Sequence, residues 1–361
     1  MTVVVDGATG FVGSRFIREL LQSGRSVVAI ARSDAALSAQ ERVREAVSSG
    51  DETCEMDGLR VVDQEYLKAG TARECSYRWR EVLEDAVSYW HLAACLKFRS
   101  ADRDELFHTN VERTRRCAQM LQEAPDVTLV HVSTAYVCGQ THMTNAPEEF
   151  LPPGESADFR NAYEESKRTA EAVIEEHLQR GHRAVVLRPS QVIGDSVTGK
   201  AGTNYGIYDL IRRSWVLSKR YTDETLRVVG TPGACQNLVP VDRLVRWMST
   251  IDLDTVAQLD FPVVNMVAHG SLSNSTIAEA MCRHIPMKYV FTGSDEFDSA
   301  FASLPERMLA AGTAFTGSYL RDNITFAHEK LEALVGEHDR VIMDEQQFER
   351  LLVGFLDELR I

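Results

Sequence analysis

The opening segment Thr2-Val-Val-Val-Asp-Gly7-Ala-Thr-Gly10-Phe-Val-Gly13 limits this chain's fold more than any other stretch. A β-branched run ends in three glycines spaced G-x-x-G-x-x-G. An amphipathic run follows at once over 10–24, with Phe11, Val12, Phe16, Ile17, Leu20 and Leu21 as its apolar positions. This is a strand, a tight turn and a helix start in direct succession. Glycines let the backbone approach a ligand closely, while the helix's first N–H groups and its dipole favour a pyrophosphate. Gly7, Thr9, Gly10, Phe11, Val12 and Gly13 are therefore expected to bind a dinucleotide.

Short apolar runs then alternate with longer amphipathic ones. Ser26–Ala31, Arg60–Val62, Val87–Ala93, Val127–Ser133 and Arg183–Leu187 read as buried strands joined by helical sequence. Such alternation implies β-α-β crossovers and a parallel sheet covered on both faces, an α/β Rossmann-type doubly wound fold. After about Gly194 the pattern loosens into mixed helices, with strands at Leu226–Val229 and near Val263–Val267. The expected division is a dinucleotide-binding domain over 1–195 with a returning segment about 226–270. The stretches 196–225 and 271–361 would form a smaller, mostly helical substrate-binding part over the strand ends.

Charge and cysteine usage narrow the class. With 53 acidic against 39 basic residues, the formal charge is −14, which repels phosphate backbones and argues against nucleic acid as a partner. No apolar run reaches the eighteen or more residues of a membrane span, and no basic region with a cleavage site precedes the first strand. The cysteines at 54, 75, 95, 117, 138, 235 and 282 are scattered and never form C-x-x-C, which suits reduced thiols in the cytoplasm and no zinc site. An enzyme without a metal is the expectation.

The end of the second strand selects the cofactor. Dinucleotide sites for NAD place an acid there, and those for NADP place arginine nearby. Here the strand runs into Arg32-Ser33, a guanidinium fork and a hydroxyl suited to a 2′-phosphate, with Asp34 next. NADPH is the expected donor.

Tyr163-Glu-Glu-Ser-Lys167 is the chain's Y-x-x-x-K. On a helix the i,i+4 spacing puts both side chains on one face, about 5–6 Å apart at Cβ. The ammonium is then expected to lower the phenol's pKa and make Tyr163 a usable general acid. Upstream, Val130-His-Val-Ser-Thr134-Ala-Tyr-Val-Cys-Gly139 is a strand ending in hydroxyls, and strand alternation turns Ser133 and Thr134 to opposite faces.

Taken in order over 1–195, these segments resemble the short-chain dehydrogenase/reductase superfamily in its extended branch. There the loop is typically T-G-A-T-G-F-V-G, and Asp6 stands where threonine is usual. A carboxylate is unfavourable beside phosphates unless it turns away to hold the loop. The resemblance implies Thr134 as the hydroxyl beside Tyr163, from S-(S/T)-x-x-V-x-G. Asn110, in Asn110-Val-Glu-Arg-Thr114, would support Lys167 through water. It implies cofactor contacts from Asp63 at the adenine, Ala93 and Ala94 in His91-Leu-Ala-Ala94, and Tyr163 and Lys167 themselves. Pro189 and Val192, in Leu187-Arg-Pro-Ser-Gln-Val-Ile-Gly194, would flank the nicotinamide.

Two segments narrow the branch. Gly194-Asp-Ser-Val-Thr-Gly199 and Tyr319-Leu-Arg-Asp-Asn-Ile-Thr-Phe326 resemble the thioester reductase and fatty acyl reductase (male-sterility) group, although Ala327 stands where an acid would follow. Asn237-Leu-Val-Pro-Val-Asp242 matches the P-V-D of extended reductases. The implied reaction is NADPH-dependent reduction of a carrier- or coenzyme A-linked thioester to an aldehyde or alcohol. The alternatives are a free ketone or aldehyde reductase of the dihydroflavonol kind, a sugar-nucleotide epimerase or dehydratase, and a non-catalytic NADP sensor. A basic stretch, Arg212, Arg213, Lys219 and Arg220 around Trp215, would suit an acidic carrier protein.

Overall fold

The structure is a computed structural model and describes residues 1–49, 53–96, 102–140, 145–294, 296–298, 300–312 and 314–360. Two compact units divide the chain. The first comprises Met1–Gly139, Glu148–Arg188 and Val245–Asn265, and the second Gln140–Pro147, Pro189–Leu244 and Met266–Ile361.

A seven-stranded sheet dominates the first unit. Its strands are β1 (Thr2–Asp6), β2 (Ser26–Ala31), β3 (Leu59–Asp63), β4 (Ala86–His91), β5 (Thr128–Val132), β6 (Ala184–Pro189) and β11 (Val263–Met266), lying in the order β11-β6-β5-β4-β1-β2-β3. The pairs from β3 across to β6 are parallel. Chain order reverses between β1 and β4, and ligands of open α/β sheets bind at the carboxyl ends beside such a reversal. The strands are almost continuously apolar because helices cover both faces. Helix α1 (Phe11–Gln22) buries Phe16, Ile17, Leu20 and Leu21, and the Phe16 ring packs 4.4 Å from that of Trp90. Each such side chain contributes roughly 1.5–3 kcal/mol on burial. The remaining helices of the site are α2 (Ala39–Ser48), α3 (Gln64–Lys68), α4 (Ala72–Leu83), α5 (Arg103–Phe107), α6 (Arg113–Leu121) and α7 (Ala162–Gln179), with a π-helical turn over His108–Glu112 joining α5 to α6. Val4, Ile30, Leu129, Val186 and Ile174 lie in a core cluster that draws on all seven strands and α7.

The second unit holds short strand pairs: β7 (Gln191–Ile193) with β10 (Leu238–Pro240), β9 (Cys235–Gln236) with β12 (Leu272–Ser273), and β8 (Thr225–Val229) with β13 (Lys288–Thr292). Helix α8 (Ile207–Ser218) and the helix Glu345–Glu358 pack in a core around Tyr208, Ile211, Leu226, Phe348, Leu352 and Phe355. The returning segment is accordingly shorter than expected. Of 226–270, the compact first unit takes 245–265, and strand Leu226–Val229 pairs with β13 rather than joining the large sheet. An apolar run shows that a strand is buried and does not say against which sheet.

Candidate active site

The glycine loop sits at the reversal between β1 and β4. Gly7 has φ +70°, and a Cβ there would lie 2.7 Å from Ala93 N. A Cβ on Gly13 would lie 2.3 Å from the Gly7 carbonyl oxygen, so helix α1 can start this close only without one. Gly10 donates to Gly7 O at 2.9 Å and N-caps α1 without any side-chain bond to the cap. No acid stands in the first turn. The first turn of α1 is thus electropositive and uncapped by a side chain, a fit to a pyrophosphate.

Asp6 resolves the departure in the loop. Its side chain is wholly buried and bonded to β4 and the turn that follows it. One carboxylate oxygen accepts from Leu92 N and Ala93 N, both at 2.9 Å. The other accepts from His91 Nδ1 at 2.7 Å and the Tyr89 hydroxyl at 3.2 Å. The acid therefore clamps the turn containing Ala93 and Ala94 against Gly7. His91 Nε2 lies 3.0 Å from Thr114 Oγ1, whose only proton goes to Asn110 O at 2.7 Å. Both imidazole nitrogens must donate, so His91 is a cation. Burial opposes its charge, but Asp6 outweighs that and raises its pKa to about 9. Asp6 is held well below the usual carboxylate range by His91 and the nearby Arg113, against the opposing cost of burial.

At the outer end of the loop, Arg32, Ser33 and Asp34 are exposed. Asp34 is committed to its own turn, accepting from Ala36 N and Leu37 N at 2.9 Å and pairing with Arg42 at 3.1 Å. Arg32 thus stands beside an acid that is already partnered. Ser33 corrects the expectation of a free hydroxyl donor: it donates to Asp63 and accepts from Ala39 N at the start of α2. Asp63 also caps α3 through Glu65 N at 2.8 Å. The pair joins the ends of β2 and β3.

Helix α7 presents the tyrosine–lysine pair. Asn161 caps it by accepting from Glu164 N at 3.0 Å, which makes Tyr163 its second residue. Burial, with the Glu164 carboxylate next to it, pushes the Tyr163 phenol above its ordinary value. The expected lowering by Lys167 is not what this geometry produces. The buried ammonium instead donates to Val132 O at 2.8 Å and lies 3.4 Å from His131 Nε2. Burial lowers Lys167 to about 8, against upward pulls from Glu171 and Asp6. Thr134, 7% exposed, lies two residues past β5 and opens a 3₁₀ turn by accepting from Tyr136 N at 3.3 Å, which leaves its proton to donate. Ser133 is also buried, and its Oγ has no partner among the described residues.

Asn110 lies in the π-helical turn, a distortion frequent at functional sites. Its side chain binds both backbone groups of Cys95, at 2.7 and 3.2 Å, and Ser166 Oγ at 2.9 Å. It ties the segment after β4 to α7, and its side-chain bonds go there rather than toward Lys167. Two features were not read from the sequence. One is His131, whose signal was a histidine two residues before the strand's hydroxyls. The other is the buried Arg188–Glu171 pair, at 2.9 and 2.6 Å, which fastens the end of β6 to α7.

In the second unit, Pro189 follows Arg188, and Val192 lies on β7 paired with Val239. Asp195 accepts from Val197 N and Thr198 N, and Ser196 donates to Asp242 at 2.6 Å, so the G-D-S-V-T-G loop is tied to the P-V-D segment. On α8, Arg212 and Arg213 both bind Asp209, and Lys219 lies 3.4 Å over the Trp215 ring. One acid therefore offsets part of the basic cluster.

A Rossmann sheet with an uncapped glycine loop at its reversal, and a tyrosine–lysine helix beside a hydroxyl-bearing strand end, defines an NAD(P)-binding oxidoreductase of the extended short-chain dehydrogenase/reductase type. The chain belongs to the male sterility protein family, whose model matches residues 5–248. It is 29% identical over 201 residues to sterol demethylase protein B of Methylococcus capsulatus, covering 54% of this chain and 52% of that one. It is 27% identical over 215 residues to peramine synthetase A of Epichloe festucae, covering 56% and 8%. With fatty acyl-CoA reductase 1 of Mus musculus the identity is 30% over 164 residues, covering 42% and 31%. The chain thus matches about half the length of the first relative and a small part of the second. Among solved structures, the terminal R domain of the myxalamid PKS-NRPS pathway superposes with a TM-score of 0.78 at 18% identity, covering 100% of this chain and 91% of that one. No helix among the described residues is long and apolar enough to cross a membrane.

Proposed function

We propose that the protein is an NADPH-dependent reductase of a thioester carried on a protein or on coenzyme A, yielding an aldehyde or alcohol. The observation that carries this reading is the buried Thr134 hydroxyl just past β5 in a unit that also presents the Tyr163–Lys167 helix. The similarity to a fatty acyl-CoA reductase and to a PKS-NRPS R domain supports the substrate class. When bound, the nicotinamide supplies a hydride. The chain's own residues do the rest. Thr134 and Tyr163 donate to the carbonyl oxygen as negative charge grows on it, Tyr163 gives up its proton, and Lys167 holds the ribose. A thioester then forms a thiohemiacetal, which expels thiol to leave the aldehyde; a second reduction gives the alcohol. Reduction of a free carbonyl is the second reading, favoured by the likeness to a putative dihydroflavonol 4-reductase of Synechocystis, 26% identical over 191 residues.

One panel separates the two: NADPH consumption with acyl-coenzyme A, acyl-carrier and free aldehyde or ketone substrates. Changing Arg212, Arg213, Lys219 and Arg220 together to glutamine is expected to raise KM for the charged thioester donors and hardly move turnover of a neutral aldehyde. The KM difference should shrink with added salt. Equal effects on both substrate classes would shift the reading to free carbonyl compounds.

Cofactor choice rests on Arg32, exposed at the end of β2 beside an already partnered Asp34. Tryptophan-quench titration is expected to give tighter binding of NADPH than NADH, with the preference lost in Arg32→Asp. Tighter binding of NADH by the unaltered protein, or an unchanged preference in the variant, would sink this assignment.

A further inference from the structure

Asp6, His91 and His131 form one row across the sheet. Asp6 is in register with His91, and His91 with His131, on adjacent parallel strands β1, β4 and β5. Register partners share a sheet face, and here Thr114 of α6 and Lys167 of α7 contact the row. The two imidazole rings are 5.5 Å apart with their planes tilted by 35°. His91 is the cation argued above. His131 therefore sits, wholly buried, between one cation and a second, the Lys167 ammonium.

We propose that His131 is a positioning residue for Lys167. Its Nε2 and the Val132 carbonyl occupy two of the ammonium's three donors and leave the third for the cofactor ribose and Tyr163. The proposal rests on the reading of Lys167 as a working part of the reductase site. An ammonium has three N–H groups and no acceptor, so unless its spare donors are held it rotates among them. Here the acceptors are Val132 O at 2.8 Å and His131 Nε2 at 3.4 Å. An imidazole can accept only when that nitrogen carries no proton, which places the His131 proton on Nδ1, a buried atom with no partner among the described residues. The surroundings enforce that neutral state. Burial, then Lys167, then His91 push the His131 imidazole well below its ordinary value. Asn110 makes no direct contact with the ammonium, its side chain being bonded to Cys95 and Ser166.

The ionisable groups facing the Lys167–His131 pair come from every packed element. Asp6 on β1 and Glu171 on α7 act on the ammonium and His91 on β4 acts on the imidazole, while Tyr89, Arg113 and Cys117 stand around Asp6 and His91, and Arg188 on β6 pairs with Glu171. Among the described residues, the ammonium's hydrogen-bond partners are His131 Nε2 and the Val132 carbonyl.

The test reads the lysine directly and needs no turnover. The chain has seven lysines, so side-chain NMR of isotope-labelled lysine gives few signals, and Lys167 is the one lost in Lys167→Arg. In the unaltered protein it is expected to titrate at about 8. A hydrogen bond to the charged form favours that form, so His131→Leu is expected to lower the midpoint by about half a pH unit or more. His131→Asn, which keeps a polar group but does not reach Nζ, should do the same if the leucine variant folds poorly. His131→Gln reaches the Nε2 position and should restore the midpoint. In a working assay kcat should fall in the leucine and asparagine variants and recover in glutamine, with thermal unfolding recorded alongside. An unchanged Lys167 midpoint in folded His131→Asn or His131→Leu overturns the proposal. Absence of turnover in the unaltered protein would instead strike at the reductase reading and leave the titration interpretable.

Discussion

Tyr163→Phe is expected to cut turnover by about 10²–10⁴-fold, the usual worth of a positioned proton donor, while NADPH binding stays nearly unchanged. The substitution removes one hydroxyl and little else. Tyr163 is the second residue of α7, whose start is fixed by the Asn161 cap and by the buried Arg160–Glu164 pair at 3.2 Å, neither of which needs the phenol. Burial and Glu164 raise the phenol above its ordinary value, so it stays protonated across the neutral range, the state a donor must start from. Lys167→Ala should lose both activity and cofactor affinity, since the ammonium is assigned to the ribose. Thr134→Ala should cost less than either, because Tyr163 still reaches the growing negative charge. Single-turnover NADPH oxidation with parallel binding titrations distinguishes these cases. Near-normal turnover in Tyr163→Phe would move the acid to another residue.

The sheet was legible because its strands are buried on both faces and read as unbroken apolar runs. The Thr2–Asp6, Ser26–Ala31 and Thr128–Val132 strands fall where β-branched residues accumulate. The glycine loop was legible for a steric reason: only glycine tolerates the approach of Gly7 to Ala93 and of Gly13 to Gly7. What escaped was the pairing between distant segments. Sequence spacing puts Tyr163 and Lys167 on one helix face but does not say what else faces the ammonium. That depends on the register of β4 against β5, which brings His131 level with His91. Ser33 likewise reads as a donor awaiting a phosphate until the parallel pairing of β2 and β3 sets Asp63 beside it. The partner of strand Leu226–Val229, which is β13, is hidden in the sequence for the same reason, since periodicity carries burial but not partnership.

Asp6→Asn should be the most damaging single change outside the proposed catalytic residues, and its cost should depend on pH. The variant keeps the side chain's shape, so Leu92 N and Ala93 N still find an oxygen, but it removes the anion opposite His91. Breaking a buried ion pair at one partner typically costs about 3–5 kcal/mol, because the remaining charge is left uncompensated. The sign with pH follows from the two shifts. His91 is raised to about 9, so its contribution is complete below its unfolded value of about 6.5 and disappears as pH rises through about 9. Asp6 is depressed, so its contribution is complete above the ordinary carboxylate range and is lost only in strong acid. Lys167, lowered to about 8, acts in the opposite direction above that pH, since a base held neutral by burial gains stability as pH rises. The informative quantity is therefore the difference between the two proteins over pH 6.5 to 8, where His91 dominates. Urea unfolding should show that difference shrinking by about 1–2 kcal/mol across the window, at a maximum slope of about 1.4 kcal/mol per pH unit. A difference that stays constant would mean that His91 is neutral in the folded protein, contrary to the two donated bonds assigned to its ring. Because bonds to an ionised acceptor are about twice as strong as neutral ones, the clamp on Leu92 N and Ala93 N loosens in the variant, which should bind NADPH more weakly even at a pH where it is fully folded. Cofactor affinity equal to that of the unaltered protein would reduce the carboxylate to a stability element and separate it from the shape of the glycine loop.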